Sequence, residues 1–252
     1  MRRARRIAVV MAALLAASLA HARGATTSCP PKARQMLADA RVLLSNGDER
    51  GALSKVQQAV ELAPAWPPPH AELGLLYQRQ GDEERARHHY TQHQLLGLME
   101  PESEPDDLTR QIAEGEALLI YLANEERAAR RLRMLRPDLT LTEMARQHSE
   151  EMCELGYFSH ASPIRRNSSL QRRYRNAFNC RPKAIAENVS RMRGTLWSFI
   201  PENLIDSHDR LMASAGHSQN ILWERVDSIG VGIAVNDRGD FWITEDFALL
   251  EQ

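Results

Sequence analysis

Three short stretches of the chain carry side chains able to do chemistry. "ELGYFSHASP" (154–163) runs an aromatic pair into Ser159 and His160, "AEN" (186–188) offers Glu187 beside Asn188, and "SAGHSQNIL" (214–222) offers His217. Two imidazoles and a carboxylate, with water in the fourth position, make the open coordination of a reactive zinc site. His160, Glu187 and His217 are therefore a candidate ligand set for Zn²⁺, with His160 and His217 as its paired nitrogens. The same residues without a metal could move protons, because histidine titrates near neutrality. A third reading makes them ordinary packed loop residues. Separations of 27 and 30 residues enforce no convergence, so spacing leaves all three open.

Other reactive side chains read more simply. His148 falls on the apolar face of a helix and is expected to be a hydrogen-bonded core residue. "RHHYTQH", with His88, His89 and His93, reads as a solvated helix face. "IRRNSSLQRRYR" (164–175) is a basic run of exposed loop and helix that suits anionic polymers or lipid headgroups; its single aromatic gives little support to base stacking. Ser214, three residues before His217, lacks the elbow of a nucleophile.

These residues need a scaffold. Residues 110–135 predict a helix with Leu118, Leu119, Leu122 and Ala123 on one face. "RPDLT" breaks it. Thr140 with Glu143 fits a capping box for the next helix, which ends at Gly156 and turns Met144, Ala145, His148, Met152 and Leu155 inward. "AIAENVS" (184–190) reads as a strand. "SIGVGIAV" (228–235), the turn "DRGD" (237–240) and "FWITEDF" (241–247) read as an antiparallel hairpin. Helices first and strands last predict an α+β fold.

Residues 33–98 repeat at an offset of 34, with Gly47 over Gly81, Asp48 over Asp82, Ala52 over Ala86, Val56 over Tyr90, Leu62 over Leu96, Ala40 over Gly74 and Leu43 over Tyr77. This resembles the tetratricopeptide signature of paired helices crossing at small residues. The segment is either a helical spacer or a groove for a protein or peptide partner. "MEPESEPDD" (99–107) opens a linker taken over 99–113, before a second domain at 114–250.

That second domain resembles the CAP superfamily (cysteine-rich secretory proteins, antigen 5, pathogenesis-related protein 1) in its bacterial SCP-like form. The motifs, in order over about residues 114–248, are Asn124-x-x-Arg127, His148 with Met152, "FSH", "AEN", "GH" with "NIL", and "GVG". The resemblance implies an α-β-α sandwich with a cleft faced by two histidines and two acids. His160, Glu187 and His217 match three of those positions, and Asn124, Arg127, His148, Asn188 and Asn220 match structural or supporting ones. It also implies metal binding at the paired histidines, or a lipid or sterol ligand. The chain departs from the pattern at the second acid, where Ser214 lies near the expected place and Asp206 or Asp209 are possible substitutes. Ala186 and Ala215 replace a common glycine and proline.

Residues 1–22 read as a signal peptide: four arginines, an apolar run from Ile7 to about Ala20, and Ala20-His21-Ala22 as cleavage site. An uncleaved anchor is the alternative, against which the run is short. Cleavage removes four arginines and takes the formal net charge from −1 to −5. The net charge gives no sign of a nucleic-acid partner, and no later apolar run approaches membrane-spanning length. A secreted or periplasmic protein is expected, in which Cys153 and Cys180 are candidates to pair. Three functions stay open: a binding module for a metal or apolar ligand, a metal-assisted hydrolase of peptide or cell-envelope material, and a structural adaptor with no active cleft.

Overall fold

The computed structural model describes residues 30–98, 107–194 and 201–250, so the expected signal peptide and Cys29 lie outside the described residues. The chain divides into two compact units, Met1–Ala113 and Glu114–Gln252.

In the first unit, helices α1 (Pro31–Ser45), α2 (Glu49–Leu62), α3 (Pro67–Arg79) and α4 (Glu83–Leu98) form two hairpins, α1 on α2 and α3 on α4. The 34-residue offset is visible in the backbone. Gly47 and Gly81 both take positive φ, 80° and 75°, in the turn inside each hairpin. Asp48 and Asp82 then accept from Gly51 N (2.9 Å) and Arg85 N (3.0 Å) at the start of α2 and α4. Small residues sit at the crossings because the helices touch there. A Cβ on Gly74 would fall 2.4 Å from the Tyr90 ring. Leu62 breaks the correspondence, since it is exposed while Leu96 is buried.

The histidines of α4 are not a uniformly solvated face. His88 is exposed, but His89 bonds to buried His70 (Nδ1···Nδ1 3.1 Å) and stacks on Tyr77, and His93 bonds to the Pro67 carbonyl. His70 Nε2 donates to the Pro64 carbonyl (3.1 Å), so its Nδ1 accepts and His89 donates. Burial lowers the pKa of both rings, to about 4 for His70 and about 3 for His89, as suits neutral imidazoles sharing one proton.

In the second unit a four-stranded sheet in the order β1-β3-β4-β2 is formed by β1 (Arg136–Pro137), β2 (Ile185–Met192), β3 (Ser228–Val235) and β4 (Phe241–Ala248). β3 and β4 make the expected antiparallel hairpin, turning at Gly239 with φ 80°, and β2 pairs antiparallel to β4 along its whole length. Helix α5 (Asp107–Ala128), which begins seven residues before this unit and runs into it, and helices α6 (Leu139–Leu155), α7 (Leu170–Phe178), α8 (Pro201–Ala213) and α9 (Ala215–Ile221) complete an α-β-α sandwich. The helix α6 lies against β3 and β4 because Gly230 and Gly232 leave it room. A Cβ on Gly232 would meet Arg146 N at 2.0 Å.

Five expectations are corrected. Residues 107–113, taken as linker, begin α5, while 99–106 lie outside the described residues. α5 stops at Ala128 rather than Leu135: Arg131 adopts a left-handed φ of 59° and Leu132 N turns back to the Arg127 carbonyl, an ending no glycine announces. The N-cap of α6 is Asp138, whose carboxylate accepts from Leu141 N (2.9 Å), and Glu143 instead bonds Gln147. A carboxylate at that position also complements the helix dipole. Leu155, placed on the inward stripe, is 53% exposed, because the chain leaves the helix through left-handed Gly156. Cys153 and Cys180 are unbonded: one packs beside Met152, Val189 and Trp242, the other lies past the end of α7.

Candidate functional site

The site is built where the loop after α6 meets the edge strand β2. Gly156 turns the chain, and two side chains then pin the loop by its carbonyls. Buried His148, on α6, donates from Nε2 to the Ser159 carbonyl (3.1 Å), and Arg173, on α7, donates from Nη1 to the His160 carbonyl (3.1 Å). Tyr157 Oη bonds Glu151 (2.5 Å), whose other oxygen accepts from Asn167 (2.9 Å). Between these anchors the His160 side chain is 58% exposed.

His160 Nδ1 meets Glu187 Oε1 at 2.9 Å, and the second Glu187 oxygen accepts from Arg173 Nη2. The Arg173 and Glu187 side chains are only 4% and 2% exposed. Burial pushes the Glu187 pKa up, but the His160 hydrogen bond and the Arg173 charge outweigh it and hold the carboxyl below its ordinary range. The bond to Glu187 raises the pKa of His160. Burial, with the Arg173 charge, lowers that of His148, whose Nε2 lies 3.9 Å from Glu187. The result is an ionised buried carboxylate backing an exposed imidazole. Its Nδ1 is committed to Glu187 and its Nε2 is the ring's open position. A cavity of about 300 Å³ is lined by His160, Ala161, Ser168, Ser169, Leu170, Gln171 and Glu187.

His217 stands on α9. Its carbonyl accepts from Asn188 (3.2 Å), and Asn220 reaches from the same helix to the Glu187 carbonyl (3.1 Å) and to Asn188 (2.9 Å), so α9 is tied to β2. The His217 ring bonds Ser214 Oγ at 2.8 Å, a local contact three residues back, and no hydrogen bond or ion pair joins it to His160 or Glu187. The structure thus pairs His160 with Glu187, while the hydrogen bond of the His217 ring goes to Ser214. Among the described residues no group of three His, Cys, Asp or Glu is placed to hold a metal ion. The described residues therefore do not supply the three-ligand set of an open zinc site.

Asn124 and Arg127 are structural. Asn124 clamps both backbone groups of Leu135 (2.9 and 2.7 Å), and Arg127 donates to the carbonyls of Arg133, Ile221 and Trp223, fixing the C-terminal end of α9. Two residues of the site were not anticipated. Arg173 belongs to the run read as exposed, but Leu170, Tyr174 and Phe178 recur at helical spacing and place residue 173 beside the inward stripe. Asp246 is the register partner of Glu187 and fully buried; burial and the Glu187 charge push its carboxyl well above the ordinary range. Its signal in the sequence is an acidic pair inside a mostly apolar strand.

Residues 120–247 match the family profile described as CAP, the cysteine-rich secretory protein family. The chain belongs to the CAP family. The uncharacterized protein YkwD of Bacillus subtilis is 31% identical to this CAP protein over 132 residues, 52% of this chain and 46% of that one, so the chain spans about half the length of the curated relative it matches. An extracellular SCP-domain protein of Bacillus anthracis aligns at 24% identity and a TM-score of 0.48, over 58% of this chain and 44% of that one. An outer surface protein of Borrelia burgdorferi aligns at 15% identity and a TM-score of 0.47, over 55% and 94%. Among the described residues, no helix of the CAP protein is long and apolar enough to cross a membrane.

Proposed function

We propose that this protein is exported and that its CAP unit is a binding module for an amphiphilic ligand, whose polar head bonds His160 Nε2. The observation that carries this reading is the His160–Glu187 pair itself, an imidazole anchored at Nδ1 and open at Nε2. The surroundings support an apolar tail. Of the six large apolar side chains exposed among the described residues, Leu155, Phe158 and Ile164 lie within five residues of His160 in the sequence, and Leu170 lines the cavity. Exposed apolar side chains on the segment that carries His160 suit an apolar ligand. Export rests on the N-terminal leader pattern. The helical hairpins are proposed as tetratricopeptide-like repeats that recruit a protein or peptide partner, supported by their matched turns and caps. A metal-assisted hydrolase is not favoured, because the residues do not supply three ligands.

Dodecanoate is a suitable probe, with a carboxylate head and a flexible tail. Titrated by calorimetry at pH 6, it is expected to bind the wild type, and His160→Ala is expected to bind about tenfold or more weakly, the loss of one charge-assisted hydrogen bond. Equal affinity in the two proteins, or no binding by the wild type, would remove the proposed role of His160.

A further inference from the structure

A second cavity, of about 500 Å³, lies on the outer side of α7 and is lined by Arg165, Arg166, Arg172, Arg175 and Asn176. Its two walls are a 3₁₀ turn (Arg165–Asn167) and the exposed face of the helix, where residues 172, 175 and 176 are neighbours at helical spacing. The walls are tied together. Arg172 Nη1 donates to the Arg165 carbonyl (2.8 Å) and to Ser168 Oγ (3.0 Å), and Asn176 donates to the Arg166 carbonyl (3.0 Å). The arginines therefore project from a braced frame.

Charge here is unusually one-sided. Between Glu154 and Glu187 the chain has six arginines and one lysine and not a single carboxylate, although its overall formal charge is −1. Arg173 alone of these arginines turns inward and is neutralised, by Glu187. The four that line the cavity form no ion pair with any carboxylate among the described residues. Four like charges around one hollow repel one another, and a multivalent anion relieves that repulsion. The guanidinium fork matches phosphate oxygens in pairs, which a lone ammonium cannot do. The lining contains no aromatic ring on which a base could stack, so recognition falls on the phosphates themselves.

We propose that this cavity binds a phosphate-bearing ligand of pyrophosphate or phosphodiester chemistry, presented either by a soluble molecule or by a phospholipid headgroup. It is a different surface from the His160 cavity and stands whether or not that site binds an amphiphile.

The test uses the full chain. Pyrophosphate is titrated by calorimetry at low salt, and in a parallel arm the protein is sedimented with phosphatidylglycerol or phosphatidylcholine vesicles. Arg166→Gln with Arg175→Gln is the informative variant, because neither guanidinium makes a bond within the described structure; Arg238→Gln in the distant β3–β4 turn is the control. Wild type and control are expected to bind pyrophosphate or the phosphatidylglycerol vesicles. The double variant should bind roughly tenfold more weakly per arginine removed, with an unchanged melting temperature. Binding of pyrophosphate assigns a soluble ligand, and binding of the anionic vesicles alone assigns a headgroup. Absence of binding to both, or affinity undiminished in the double variant, overturns the proposal. Should the double variant melt early, Arg166→Lys with Arg175→Lys decides: it keeps the charge and removes the fork, so it should bind more weakly than wild type, and undiminished affinity overturns the proposal.

Discussion

Replacing Arg173 with alanine is expected to destabilise the CAP unit by about 3–5 kcal/mol at pH 7, the usual cost of removing one partner from a buried ion pair. The substitution strips the cation from a Glu187 side chain that is 2% exposed, and releases the carbonyls of His160 and Asn167 as well. The loss should shrink in acid. In the wild type the Glu187 pKa is depressed, so its contribution is present above the unfolded-state value and is lost as pH falls through the folded one. In the variant the uncompensated carboxyl takes a proton readily, so the difference between the proteins narrows below about pH 4. Urea unfolding at pH 7 and pH 3.5 measures this. A difference under about 1 kcal/mol at pH 7, or one equally large at both pH values, would show that Arg173 does not act through Glu187.

The second large effect concerns distance rather than charge. Gly232→Ala places a Cβ 2.0 Å from Arg146 N and 2.3 Å from Ala145 C, both backbone atoms of α6 that cannot swing aside. The helix must lift from the sheet, breaking the Ser149 bonds to the Gly232 carbonyl (2.9 Å) and to Thr244 (2.8 Å). A cost at or beyond the upper end of the roughly 1–3 kcal/mol seen for overpacked cores is expected. The damage also reaches the site, since α6 carries His148 and delivers the loop of His160. Gly216→Ala provides the contrast: a Cβ there meets nothing within 4 Å, so stability should stay within about 0.5 kcal/mol of wild type. Thermal or urea unfolding of the two variants separates these cases, and similar stabilities would refute the close-packing account.

What could be read from the residues alone depended on whether the cause was local. β-branched and aromatic runs with a turn between them marked β3, β4 and their hairpin, and the repeat offset marked two glycine turns and two aspartate caps, because each of those features is decided within a few residues. The motif order located Glu187 and His160, which the fold does bring together. Helix ends were less legible: Arg131 closes α5 in a left-handed conformation that its side chain does not advertise. Least legible was the supporting charge. Arg173 differs from Arg172 and Arg175 only in which side of a nine-residue helix it occupies, yet one is buried on Glu187 and the others are exposed. Asp246 likewise acquires its environment from strand pairing, a long-range event. The metal expectation depended on three separate segments orienting their side chains to one point, which motif order cannot specify; here the His217 ring turns to Ser214.

Glu187, ionised behind His160, makes that imidazole more basic. NMR titration of the His160 ring reads this directly. A pKa above the ordinary 6.5 is expected, falling in Glu187→Gln. Because the folded-state value is raised, the attraction stabilises the fold at pH values below the unfolded-state pKa and fades as pH rises through the folded one. A wild-type His160 that titrates at or below 6.5, with no response to Glu187→Gln, would contradict it.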